Sequence, residues 1–239
     1  METPTATSEI GVVGRLIRIF YAPGEVYESL AHQRSAADWF VPTAIAALLG
    51  IVIAAATIPL ATQASLEQMQ EQMQNMPAEQ REMMESGQKI AQVGGMIAAP
   101  LMTFLFLLIA SALLLLVGKM LGAEINFGQA MPVYAYGSMI GTLKAIIITP
   151  VMVAKETMIV HTGLGIFLGD EMMQTFTGRM LAGIDLFTVW QAIVTAIGLA
   201  IVGQIATGKA IGGVLVLVAI AIVIGAGLGG IGEAFNPGG

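Results

Sequence analysis

Long uncharged runs of apolar residues alternate with short polar connectors along this chain. Runs 41–61, 90–117, 186–208 and 210–232 carry no charge, and 128–154 carries one, Lys144. About 20 apolar residues at a rise of about 1.5 Å cross a hydrocarbon layer of about 30 Å, so each run is long enough to span a membrane. Lipid offers no partner to a free N–H or C=O, which makes the spans helical. The pattern predicts an all-α, polytopic transmembrane bundle with five spans, at about 41–62, 90–118, 129–153, 186–207 and 210–231. These form a membrane domain over 39–232, preceded by a disordered tail, 1–9, and an amphipathic segment, 10–38, and followed by a short tail, 233–239.

In the amphipathic segment Ile10, Val13, Leu16, Ile17 and Phe20 recur at helical spacing, with Arg15 and Arg18 between them. That is the pattern of a short helix lying in the interface with its apolar face in lipid. The chain restarts at Pro23, which suits the first turn of a second helix, and Glu25 and Glu28 favour the positive end of its dipole. Val26, Tyr27 and Leu30 are expected to face inward. The polar stretch 63–89 predicts an extramembrane helical hairpin broken at Pro77. The third and fourth spans are joined by 154–185, whose apolar middle of about 13 residues is too short to cross and reads as interfacial or re-entrant. The connector "ATGKA" makes the last two spans an antiparallel hairpin.

Composition sharpens this picture. Of 239 residues, 56% are apolar and 11% charged, the latter less than half the roughly 25% usual in soluble domains. Mean hydropathy is +0.82. No leader peptide is discernible before the first span, which is expected to act as its own insertion signal. With no cysteine, disulfides, thiolate metal sites and cysteine nucleophiles are excluded. A net charge of −6 argues against nucleic-acid binding and against a polybasic lipid patch.

The candidate chemistry is sparse. Lys144 stands in an otherwise uncharged span and is followed by Thr149 and Pro150. A lysine there costs about 2.5–3.5 kcal/mol at a helix centre, so it is expected either to meet an anionic solute or polar cavity beside a break at Pro150, or to snorkel to the interface. Met69, Met73 and Met76, with Met83 and Met84 beyond, are placed to hold a soft ion such as Cu(I), yet the same stripe serves as a flexible apolar seam. His161, Glu156, Asp170 and Glu171 lack metalloprotease spacing and read as loop polarity. Residues 225–230 satisfy G-x-G-x-x-G by letter but end a span, without the strand and helix that a dinucleotide site needs. Gly137/Gly141, Gly208/Gly212 and Gly225/Gly229 instead suit close helix packing, within the chain or between copies in a homo-oligomer. Trp39, Asp185, Phe187 and Trp190 read as interfacial anchors. No catalytic constellation, cofactor site or metal centre emerges, and the chain is expected not to be an enzyme.

The stretch "DLFTVWQAIVTAIGLAIVGQIATGKA" resembles the Yip family, the Ypt/Rab-interacting membrane proteins, and specifically its bacterial branch. The resemblance rests on Asp185, Phe187 and Trp190 entering the fourth span, Ile197–Leu199 within it, and the Gly208–Lys209 turn into the fifth. "YAPGEVYESLAH" before the first span adds to it, and the likeness runs from about Arg15 to Gly230. The Asp-Leu-x-Gly-Pro stretch of eukaryotic members is absent, and their Gly-Tyr-Gly is represented only by Ala135-Tyr136-Gly137, so Rab binding carries over to no named residue. The resemblance implies a five-span protein of the cell (plasma or inner) membrane, with a cytoplasmic amino terminus and a carboxyl terminus across the bilayer. Two functions are compatible with this reading. One is a non-enzymatic interaction or membrane-organising, trafficking-like protein that meets a protein partner through 10–38. The other is a small transporter or channel using Lys144.

Overall fold

The computed structural model describes residues 10–74, 78–158 and 160–234. Met76 lies outside the described residues, as do the side chains of Met69, Met73 and Met84, so the soft-ion stripe falls outside them too. The described chain is helical: α1 (Val12–Arg18), α2 (Pro23–His32), α3 (Ala37–Gln74), α4 (Ala78–Met120), α5 (Phe127–Gly137), α6 (Met139–Ala154), α7 (Asp170–Gln174), α8 (Phe176–Ala182), α9 (Leu186–Gly203) and α10 (Thr207–Ala234). A 3-10 turn covers Leu164–Phe167. Five stretches are long and apolar enough to cross a membrane: Ala37–Gln63, Ile97–Met120, Phe127–Ala154, Leu186–Gly203 and Thr207–Leu228. The polar segment after the first span continues α3 to Gln74 and resumes as α4 at Ala78.

Local chemistry explains where these helices begin and end. Asn126 and Gln129 form a reciprocal capping box at the start of α5, satisfying two of the donors that a helix start leaves open. Asp185 Oδ1 accepts from Thr188 N at 3.0 Å and so caps α9. Two non-glycine residues close helices in the left-handed region, Glu156 (φ 51) after α6 and Gln204 (φ 55) after α9. Each is followed by a backbone bond across the cap, Thr157 N to Met152 O at 3.1 Å and Ile205 N to Ala200 O at 3.0 Å, the usual way to use the last carbonyls.

The third span departs from expectation. It is interrupted at Ser138, between α5 and α6, whereas Pro150 lies inside an unbroken α6. Ser138 Oγ donates to Ala135 O at 2.8 Å, a back-bond that competes with the helical ladder. At Pro150 the lost N–H bond is tolerated by the flanking helix, and Thr149 Oγ1 donates to Ala145 O at 2.7 Å.

The chain divides into two compact units. The first comprises Met1–Thr43, Leu107–Ile140 and Trp190–Leu217. Its centre is built from Tyr27, Ile19, Leu30, Leu114, Ile125, Val133, Tyr136 and Leu199, all fully buried. Val26, Tyr27 and Leu30 face inward as the pattern requires. The second comprises Ala44–Phe106, Gly141–Val189 and Val218–Gly239. There the chain between α6 and α9 folds back on itself, with an isolated antiparallel bridge from Gly163 to Asp185 and a bond from Leu164 N to Ile184 O at 3.2 Å.

Glycine contacts are distributed differently from the four-residue pairs. A Cβ on Gly208, Gly212 or Gly225 meets nothing within 4 Å, so these three make no close packing contact within the described residues. Gly137 does approach a neighbour, the Thr195 side chain on α9. Gly141 is half-buried, and the packing of Gly229 lies outside the described residues. Close approaches also involve glycines outside those pairs: Gly198 against the Tyr27 ring and Val133, both 2.7 Å from an added Cβ, and Gly213 against Leu121 at 2.6 Å.

Candidate functional site

Among the described residues, each unit holds a buried ionic cluster. In the first, Arg15 on α1 is the organiser. The pattern sets Arg15 on the polar face of an interfacial helix, but it is 5% exposed, a correction that follows from the acceptors gathered round it. Its Nη1 donates to Asp38 Oδ1 at 2.5 Å, its Nη2 to Ser29 Oγ at 2.8 Å and to Gln33 O at 3.1 Å, and its Nε to Ser29 Oγ at 3.2 Å. Asp38, 1% exposed, also accepts through Oδ2 from Ser35 N at 2.7 Å and Ser35 Oγ at 3.2 Å, and through Oδ1 from the Tyr136 hydroxyl at 3.3 Å. A buried ion pair is tolerated only when its remaining donors and acceptors are also satisfied. Here both partners meet that condition.

Tyr27 completes the anchoring of this segment. Its hydroxyl donates to Val133 O at 3.1 Å while its ring rests on Gly198, where no side chain intervenes. Burial, with Tyr136 nearby adding to it, pushes the Tyr27 phenol far above its ordinary range, so it stays a donor. The cluster therefore joins α1, α2, the start of α3, α5 and α9 within one unit. Its chemistry is that of a clamp: all the acceptors are committed inside the chain.

The second cluster pairs the two residues that the sequence reading treats separately. Lys144 Nζ on α6 donates to Asp185 Oδ2 at 2.5 Å, and the Thr188 hydroxyl donates to the same oxygen at 3.1 Å. The Asp185 side chain is 2% exposed and that of Lys144 34%. Asp185 is thus not a water-facing anchor: its carboxylate is buried, paired with Lys144 and engaged in capping α9. Lys144 for its part finds its counter-charge 41 residues along the chain.

The other expected residues are dispersed. Trp39 packs against the buried Leu107, Met131 and Ala135 and meets Phe40 edge-on at 5.8 Å. Trp190 meets Phe20 edge-on at 6.3 Å, and Phe187 is half-buried. Thr149 and Pro150 lie on α6 beyond Lys144 and are not brought to the Asp185 carboxylate by any bond in the structure. Among the described residues no three His, Asp or Glu side chains lie together as a metal ion would require. Missing from the sequence-level set are Arg15, Ser29, Asp38 and Tyr136. Their signal was present but divided: an Arg among the apolar positions of α1, an Asp at the head of the first span, and a lone Tyr in the small-residue stretch Ala135–Gly137.

Comparison with known proteins gives one finding and two blanks. The family model for the Yip1 domain matches residues 17–228. No curated protein and no solved structure gives a significant match.

Proposed function

This chain belongs to the Yip1 domain family, and from that premise we propose that it acts without catalysis, as a membrane protein that engages a protein partner through residues 10–38. The observation that carries this reading is the Arg15–Asp38–Tyr136 cluster. It turns the amino-terminal segment into a rigid platform fastened to the bundle. A rigid surface loses less conformational freedom on binding than a flexible tail does. The outward edge of the platform is polar: Glu28, His32 and Arg34 are exposed, and His32 Nδ1 is held against Glu28 O at 2.8 Å. Following the family likeness, we set this edge on the cytoplasmic face of the cell membrane, where a soluble partner has access.

Two supports distinguish this from transport through Lys144. The Lys144 ammonium already holds the Asp185 carboxylate, and α6 runs unbroken through Pro150. A charge inside a span is nonetheless a functional pointer in general, so flux through vesicles containing Lys144→Leu is the companion measurement. Unchanged flux removes that role.

The direct test is affinity purification from native membranes, comparing the full chain with Glu28→Ala/His32→Ala/Arg34→Ala. These side chains lie outside the clamp, so the variant stays folded. Loss of a stable partner from the variant alone supports the platform. A partner retained in full places the contact elsewhere.

A further inference from the structure

We infer that α1 and the turn that follows it lie side-on within one leaflet of the bilayer, and that their outer face, Val13 and Ile17 on α1 and Tyr21 in the turn, is covered by lipid acyl chains. The first observation is the spacing and exposure of these three side chains. They follow one another at intervals of four and are 70%, 58% and 70% exposed, a continuous apolar ridge on an otherwise well-packed segment. Leaving such a ridge in water is unfavourable in proportion to its apolar area.

The second observation is where this segment docks. It does not sit on the ends of the spans; it packs along their flanks. Tyr27 meets Gly198, five residues inside the Gly203 end of α9, which is about 7 Å at the helical rise. Arg15 and Asp38 meet Tyr136, nine residues past the start of α5 at Phe127, or about 13 Å. Trp39, which opens the first span just after Asp38, packs on the cluster of Leu107, Met131 and Ala135, and Leu107 lies thirteen residues short of the Met120 end of α4, or about 20 Å. All three contact points fall inside stretches apolar enough to cross a membrane.

The third observation identifies the medium at that level. Along the same length of α4, in the same unit, Leu108, Ile109, Leu113 and Leu116 are 42–57% exposed, as lipid-facing side chains of a span are. The surface that α1 presents is therefore alike in kind to the bilayer contact of the spans. The polar edge runs along α2 and the end of α1, with Glu25 and Glu28 exposed and Arg18 Nη1 paired to Glu25 Oε2 at 2.5 Å. An apolar ridge on α1 beside a polar edge on α2 is the arrangement of an in-plane interfacial element. One member of the expected face is thereby revised: Phe20 packs on Trp190, and Tyr21 takes its place in lipid.

The absence of cysteine allows a direct test. Ile17→Cys, Val13→Cys and, as a water-exposed reference, Arg34→Cys are each spin-labelled in the full chain and placed in phosphatidylcholine nanodiscs. Accessibility to oxygen, which partitions into lipid, is compared with accessibility to a water-soluble nickel chelate. Lipid coverage predicts high oxygen and low nickel accessibility at 13 and 17, with the ratio reversed at 34, and labelling by a membrane-impermeant maleimide at least tenfold slower at 17 than at 34. High nickel accessibility at 13 and 17 overturns the inference by placing the ridge in water. Low accessibility to both overturns it by showing protein cover, a second copy of the chain. Two labelled positions on the ridge keep the result independent of any local disturbance at one of them.

Discussion

The hydroxyl of Tyr136 donates to Asp38 across 98 residues of sequence, at 3.3 Å, on the same carboxylate oxygen that receives Arg15. Three separate helices thus converge on one atom. Replacing Arg15 by Leu leaves the Asp38 carboxylate buried and short of its cation, a change that costs about 3–5 kcal/mol. Arg15→Lys recovers little of this, because Nε and both terminal nitrogens are in use and an ammonium is a single point donor. Tyr136→Phe removes one bond and costs about 1 kcal/mol. Thermal unfolding in detergent ranks the three variants, and a loss below about 1 kcal/mol for Arg15→Leu would falsify the clamp.

Lys144→Leu removes the counter-charge of a buried carboxylate and is expected to destabilise the protein by about 1–3 kcal/mol. The figure lies below that for the Arg15 pair because the Lys144 ammonium donates one of the hydrogen bonds found here, against four from the Arg15 guanidinium. Adding Asp185→Asn removes the orphaned charge, keeps an acceptor for Thr188, and restores most of the loss. A double-mutant cycle on melting temperature reads the coupling directly. Strictly additive effects would mean that the pair contributes nothing.

Glycine positions separate into two classes with opposite responses. Gly198→Ala drives a methyl into the Tyr27 ring and Val133 and is expected to cost about 1–3 kcal/mol through overpacking. Gly212→Ala enters open space within the chain and gains up to about 1 kcal/mol from the better helix former. Equal melting temperatures for the two variants contradict this division.

Gln204 holds a left-handed conformation that glycine adopts without strain. Gln204→Gly is expected to stabilise the α9 end by about 1 kcal/mol or less, and a β-branched residue there to destabilise it by about 1–2 kcal/mol. Denaturant midpoints for Gln204→Gly and Gln204→Val show the sign. A stabilising valine would contradict the backbone assignment.

Much of the architecture was legible before any coordinates. The five apolar runs name their own spans, because bilayer thickness sets a length and lipid forbids any unpaired backbone. The inward face of α2 follows from Val26, Tyr27 and Leu30 at helical spacing. The break in the third span was not legible from Pro150, which the flanking turns of α6 accommodate, and Ser138, whose hydroxyl bonds back to Ala135 O, carries no such signal in its letter.

The candidate site was only half legible, for a definite reason. Lys144 and Asp185 each stood out, one as a charge in a span and one as an acid beside aromatics, yet periodicity says which face a residue occupies and not which face it meets. Arg15 looked like the polar side of an interfacial helix because its acceptors come from Ser29, Gln33 and Asp38, none of them within one helical turn.

What the sequence determined by itself is the set of constraints that act locally or against a uniform medium: helix, span length, membrane class and family. Only the tertiary structure decided which charges neutralise one another and which glycines are indispensable. A buried charge is stabilised by its nearest partner in space, at a separation that chain distance does not encode. A glycine is written with the same letter whether the missing Cβ faces open space, as at Gly212, or an aromatic ring, as at Gly198.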